Sequence, residues 1–124
     1  MDLARNILLV EDEEALLFGL TKLLEGTGAT VHAARTLEEA GAFLSGNAYK
    51  AVITDLRLTG TTIVEGLEVI ALTKKMQPEC KIIAMTAYAG SETRSRVEEL
   101  GVDFYLEKPV SLNTLKGILS SIRG

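Results

Sequence analysis

The stretch Ile7-Leu8-Leu9-Val10-Glu11-Asp12-Glu13 decides the fold, because four apolar residues run directly into a series of carboxylates. Three further runs of the same kind follow at helix-length intervals. Ala51-Val52-Ile53-Thr54 is followed by Asp55, Ile82-Ile83-Ala84-Met85 by Thr86, and Phe104-Tyr105-Leu106-Glu107 by Lys108-Pro109. Short apolar runs separated by amphipathic stretches predict parallel strands of an α/β sheet. The carboxyl ends of such strands share one edge, and ligands bind in the crevice there. Glu11, Asp12, Asp55, Thr86 and Lys108 are therefore expected to converge, although they are far apart in sequence.

Working outward, strands are expected over about residues 5–10, 29–34, 51–54, 81–85 and 103–106. A first helix over residues 13–25 carries Leu16, Leu20, Leu23 and Leu24 on one face, with Gly26 and Gly28 as its stop. Thr36 and Glu39 have capping-box spacing and open a second helix that ends at Gly46-Asn47. A third helix is expected over residues 66–76, before Pro78. A fourth begins near Ser91, with only Val97 and Leu100 to hold it. Ser111 caps the last, on which Leu112, Leu115, Leu119 and Ile122 recur at helical spacing. Five strands and five helices in alternation fit a doubly wound sheet.

The 124 residues suit one domain (1–124), with 47% hydrophobic and 24% charged residues. A net charge of −4 argues against a nucleic-acid binder. No apolar run approaches a membrane span, and the first residues carry no signal-peptide core, so neither membrane association nor export is expected. The single cysteine, Cys80, has no partner for an internal disulfide. A cytoplasmic location is the expectation.

Three carboxylates brought together repel one another unless a cation is present. Oxygen ligands without His or Cys favour a hard ion, and Mg²⁺ commonly takes one or two carboxylates while leaving places for phosphate oxygens. Lys108 adds a positive charge suited to a phosphoryl group. Asp55 is a candidate nucleophile, and Thr86 offers a hydroxyl to a phosphate oxygen.

These landmarks, Val10-Glu11-Asp12-Glu13, Asp55, Thr86-Ala87 and Tyr105-Leu106-Glu107-Lys108-Pro109, resemble the receiver domain of two-component response regulators over essentially the whole chain. The resemblance implies a flavodoxin-like sheet of order 2-1-3-4-5 flanked by helices. It implies Asp55 as phosphoacceptor and Mg²⁺ as cofactor, held by Asp12, Asp55 and the Arg57 backbone carbonyl, with Glu11 acting through water. Lys108 would pair with the phosphoryl group, Pro109 would follow it in a cis peptide, and Thr86 and Tyr105 would be the switch pair. The implied partners are a sensor histidine kinase or histidine phosphotransfer protein upstream, and an output domain or protein downstream.

Two features depart from the family pattern. Thr59 stands where a proline is common, and Gly66 lies eleven residues after Asp55 rather than about eight. Residues 59–65 read as a tolerated loop insertion. Arg57 and Tyr88 occupy positions that govern water access in the family, and their bulk suggests shielding. Glu13 and Glu14 read as an acidic first helical turn, His32 as an exposed or edge residue without a catalytic part, and Cys80 as an inert small hydrophobe.

Rival functions fail on particular residues. A dinucleotide site needs a glycine-rich turn where Glu11-Asp12 stand, and no Gly-Lys-Ser/Thr loop is present for a nucleotide. Haloacid-dehalogenase phosphatases use Asp-x-Asp, and position 57 is Arg. The serious competitor is a degenerate receiver that serves as a phosphorylation-independent interaction module.

Overall fold

In the computed structural model, which describes residues 6–58, 63–87 and 90–122, five strands alternate with five helices. The strands are β1 (Asn6–Val10), β2 (Thr30–Ala34), β3 (Ala51–Asp55), β4 (Lys81–Thr86) and β5 (Phe104–Glu107). The helices are α1 (Glu14–Glu25), α2 (Leu37–Gly46), α3 (Val64–Met76), α4 (Ser91–Glu99) and α5 (Leu112–Ser121). All strand pairs are parallel and the sheet order is β2-β1-β3-β4-β5.

Alternation along each strand sends successive side chains to opposite faces, and the core divides accordingly. Ile7, Leu9, Ile53, Ile83 and Met85 pack with Leu17, Leu20 and Leu24 of α1 and Leu115 of α5. Leu8, Val10 and Val52 pack on the other face with Ala40 and Leu44 of α2 and Val69 of α3. That second face continues through Leu56, Ile70, Ile82, Ala84 and Val97, joined by the half-buried Tyr105.

The helix ends follow local chemistry. The Thr36 hydroxyl accepts from the Glu39 N–H at 3.1 Å, and Glu39 Oε1 accepts from the Arg35 N–H at 2.7 Å. The reciprocal arm of the box thus reaches one residue further upstream than the usual form. Ser111 Oγ accepts from the Thr114 N–H. Gly28 has φ of 95°, which suits glycine after the end of α1.

Two expectations need correction. The buried face of α1 is Leu17, Leu20 and Leu24, while Leu23 is exposed and Leu16 only half buried. Leucines at five of nine positions give two overlapping stripes, and the sheet selects one of them. α3 begins at Val64, two residues before the expected start at Gly66. Gly66 instead marks a close approach: a Cβ there would lie 2.3 Å from the Leu56 carbonyl oxygen and 2.4 Å from Leu56 Cα. Residues 59–62 and Tyr88, which carry the loop and part of the shielding expectation, lie outside the described residues.

Candidate functional site

The ends of β1, β3, β4 and β5 put the expected residues at one edge. Glu11 and Asp12 directly follow β1, Asp55 ends β3, Thr86 ends β4, and Lys108 follows β5. Oxygens of the Glu11, Asp12 and Asp55 carboxylates lie within 4.8 Å of one another. Lys108 Nζ donates to Glu11 Oε1 at 2.7 Å and to Asp55 Oδ2 at 3.0 Å. The Lys108 N–H donates to the Thr86 carbonyl oxygen at 2.8 Å, and the Lys108–Pro109 peptide is cis.

The three acids are held differently. Glu11 is fully buried, and its second oxygen, Oε2, accepts from the Glu13 N–H at 3.0 Å. Asp55 is 6% exposed, and its Oδ1 accepts from the Arg57 N–H at 3.3 Å. Asp12 is half buried, and its carboxylate accepts no hydrogen bond among the described residues. Asp12 is therefore the acid whose oxygens are open to a cation. The donor set is oxygen only, which fits a hard ion such as Mg²⁺.

Burial pushes the Glu11 carboxyl above its ordinary range, with the Lys108 and Glu13 hydrogen bonds opposing that effect. Burial pulls Lys108 down, but its hydrogen bonds to Glu11 and Asp55 more than offset this, and the ammonium is held above its ordinary value. Lys108 thus stays firmly charged beside the three acids.

The remaining candidates fall as follows. Thr86 is fully buried at the end of β4. Tyr105 faces Ala84 in the β4–β5 register and packs on the cluster containing Leu56 and Val97. Its hydroxyl is buried without a hydrogen-bond partner among the described residues, and burial pushes its pKa up. Arg57 is half buried beside Asp55. His32 lies on the edge strand β2, where its Nδ1 is 2.6 Å from the Tyr49 hydroxyl and its ring stacks on Phe43. Cys80 is buried and its thiol is pushed up to about 12 by that burial.

Sequence reasoning did not single out Arg94, whose guanidinium lies over the Tyr105 ring, or Asp103, whose Oδ2 accepts from the Ile82 N–H. The Arg94/Glu98 spacing was a weak signal for the first. Nothing local marked the second.

A five-stranded doubly wound domain with three acids and a lysine at its carboxyl edge defines a class of phosphoryl-handling signalling modules. The chain belongs to the response regulator receiver domain family, whose profile matches residues 7–120. It is 30% identical to the photosynthetic apparatus regulatory protein RegA of Cereibacter sphaeroides over 88% of this chain and 58% of that protein. The chain thus spans about three fifths of the length of that relative.

Among solved structures, it is similar to a response regulator from Burkholderia pseudomallei containing a phosphorylated aspartic acid, a calcium ion and citrate. That match has TM-score 0.85 and 29% identity, covering 93% of this chain and 66% of the other. It is also similar to the receiver domain of a sensor histidine kinase from Pseudomonas aeruginosa with a magnesium ion in its active site cleft. There the TM-score is 0.84 and the identity 26%, with 98% of each chain covered. The fold is the flavodoxin-like fold of receiver domains.

Proposed function

We propose that residues 1–124 act as a cytoplasmic phosphoacceptor switch, with Asp55 accepting a phosphoryl group from a phosphohistidine on a kinase or phosphotransfer protein. The observation that carries this reading is the Lys108 ammonium bonded at once to Asp55 and Glu11, beside an open Asp12 carboxylate. The magnesium in the active site cleft of the related Pseudomonas receiver domain supports a metal at this edge.

Asp12 and Asp55 would hold Mg²⁺ directly, joined by the Arg57 backbone carbonyl, with Glu11 acting through water. The ion supplies charge neutralisation for phosphoryl oxygens. An Asp55 oxygen attacks phosphorus, the phosphorus–nitrogen bond to the donor imidazole breaks, and the bonding pair leaves with that nitrogen. Lys108 then exchanges its contact with the Asp55 carboxylate for one with a phosphoryl oxygen. Thr86 can donate its hydroxyl to another oxygen. Water later cleaves the acyl phosphate and restores Asp55, and Arg57 shields that step. The domain thereby promotes only its own phosphorylation and dephosphorylation.

Phosphorylation adds about one negative charge to the site and new acceptor oxygens. Movement of Thr86 toward them, followed by Tyr105, shifts the population of the α4-β5-α5 face that a downstream domain or protein reads. Incubation with acetyl phosphate and Mg²⁺, followed by intact mass, tests the reading. One phosphoryl group should appear on the parent and none on Asp55→Asn. Incorporation that survives in the variant places the nucleophile elsewhere, and no incorporation in the parent favours the phosphorylation-independent interaction module.

A further inference from the structure

Tyr105 has surroundings that phosphoryl chemistry leaves unexplained. Its buried hydroxyl has no hydrogen-bond partner among the described residues, so no hydrogen bond among them rewards its present position. Its ring carries the Arg94 guanidinium 5.3 Å from the centroid. Arg94 Nε in turn donates to Glu98 Oε2 at 3.1 Å, one turn further along α4. That ion pair restricts a long, exposed side chain to the orientation that covers the ring.

α4 has little else to fasten it. Val97 is its one buried side chain among the described residues, and Leu100, just past its end, is half buried on the same cluster. The other residues of the helix are mostly exposed and polar. The Tyr105 ring therefore forms a joint between α4 and β5, and Arg94 closes it from the solvent side. The same cluster contains Leu56, the residue after Asp55, and Ala84, which faces Tyr105 across the β4–β5 register. A rearrangement at Asp55 thus reaches the ring through packed side chains, and the ring cannot move without leaving Arg94.

We infer that Arg94 is a latch: a positioning residue that, oriented by Glu98, holds Tyr105 and α4 in the resting packing and opposes the phosphorylated one. The assignment of the resting state rests on the phosphoacceptor reading above. A cation–π contact at an exposed site biases an equilibrium about two- to fivefold. Loss of the latch should shift the balance by that factor.

The test compares the parent, Arg94→Gln, Arg94→Lys, Tyr105→Leu and the Arg94→Gln/Tyr105→Leu double variant. Amide hydrogen exchange over residues 91–100 is measured first, then affinity for beryllofluoride with Mg²⁺ by backbone amide shifts. Arg94→Gln should exchange about two- to fivefold faster in α4 and bind beryllofluoride tighter by a similar factor. Arg94→Lys should restore much of both, since an ammonium can also sit over the ring. In the Tyr105→Leu background, Arg94→Gln should leave beryllofluoride affinity unchanged and speed exchange by no more than about twofold, the share of the lost Glu98 pair. Unchanged exchange overturns the latch, as does unchanged or weaker beryllofluoride affinity in Arg94→Gln when the parent binds it. A parent that binds no beryllofluoride overturns the phosphoacceptor reading and the resting-state assignment with it, while the exchange comparison separately decides the contact.

Discussion

Replacing Lys108 by Met keeps much of the side-chain volume and removes the ammonium that bridges Glu11 and Asp55. At contact distances of 2.7 and 3.0 Å, each attraction is worth about 6 kcal/mol at an effective dielectric of about 20. Desolvation of the three groups cancels much of this, and the net cost of stripping one partner from a buried pair is about 3–5 kcal/mol. Against a total stability of about 5–15 kcal/mol for a domain of this kind, such a loss is large. Glu11 makes the loss depend on pH. Its folded pKa is raised, so the folded state retains a proton that the unfolded state has released, and stability falls as pH rises through that interval. Without Lys108 the raised pKa moves further up. Urea melts of Lys108→Met should therefore show the full deficit at about pH 7.5 and a smaller one at about pH 5.5, with a slope of up to about 1.4 kcal/mol per pH unit. Saturating Mg²⁺ should recover more stability in the variant than in the parent, because the ion then meets a more negative site. A deficit below about 1 kcal/mol at the higher pH, or an equal deficit at both, would refute the argument that buried charge dominates here.

Asp12→Ala should weaken Mg²⁺ binding by at least about tenfold, by analogy with losses seen for residues one shell further out. Without metal it should gain about 1 kcal/mol from relieved repulsion, read by calorimetric titration and urea melts. Gly66→Ala pushes a methyl group to 2.3 Å from a backbone oxygen, and chemical denaturation should show a loss at the upper end of the usual overpacking range of about 1–3 kcal/mol. A loss below about 0.5 kcal/mol would mean that α3 slides freely. In alkali, burial holds the Cys80 thiol and the Tyr49 hydroxyl up to about 12. The unfolded chain releases both protons first, so stability should decline from about pH 9 upward by as much as about 1.4 kcal/mol per pH unit per group. The decline should be smaller in Cys80→Ala.

The strands β1, β3 and β4 were legible because they are buried on both faces and so appear as unbroken apolar runs, each with a polar residue where the strand ends. The edge strands β2 and β5, only half buried, carried a weaker signal. The caps Thr36 and Ser111 were legible because capping is a local transaction between residues three apart. The phase of α1 was not, since choosing between Leu17 and Leu23 requires knowledge of which side the sheet lies on. Gly66 announced a helix start but not the backbone of Leu56 beneath it. The contacts of Arg94 with Tyr105, and of His32 with Tyr49, join residues 11 and 17 apart, with no periodicity to connect them. Within the site, residue identity gave the chemistry. The assignment of Lys108 to both Glu11 and Asp55, which leaves Asp12 open, came only with the three-dimensional arrangement.

Leu56 and Leu58 are sunk into separate clusters, and the chain returns at Gly66, whose N–H is bonded to the Leu56 carbonyl oxygen at 3.2 Å. The segment between therefore leaves from and comes back to one anchored point. Its length becomes an independent variable, since doubling a loop costs only about 0.6 kcal/mol in closure entropy. Residues added between positions 58 and 63 need not displace Asp55, because the strain of any insertion ends at the Gly66 contact. The stretch between Leu58 and Ile63 can thus be rewritten, by descent or by grafting a recognition peptide, while Asp55 at the end of β3 keeps its place.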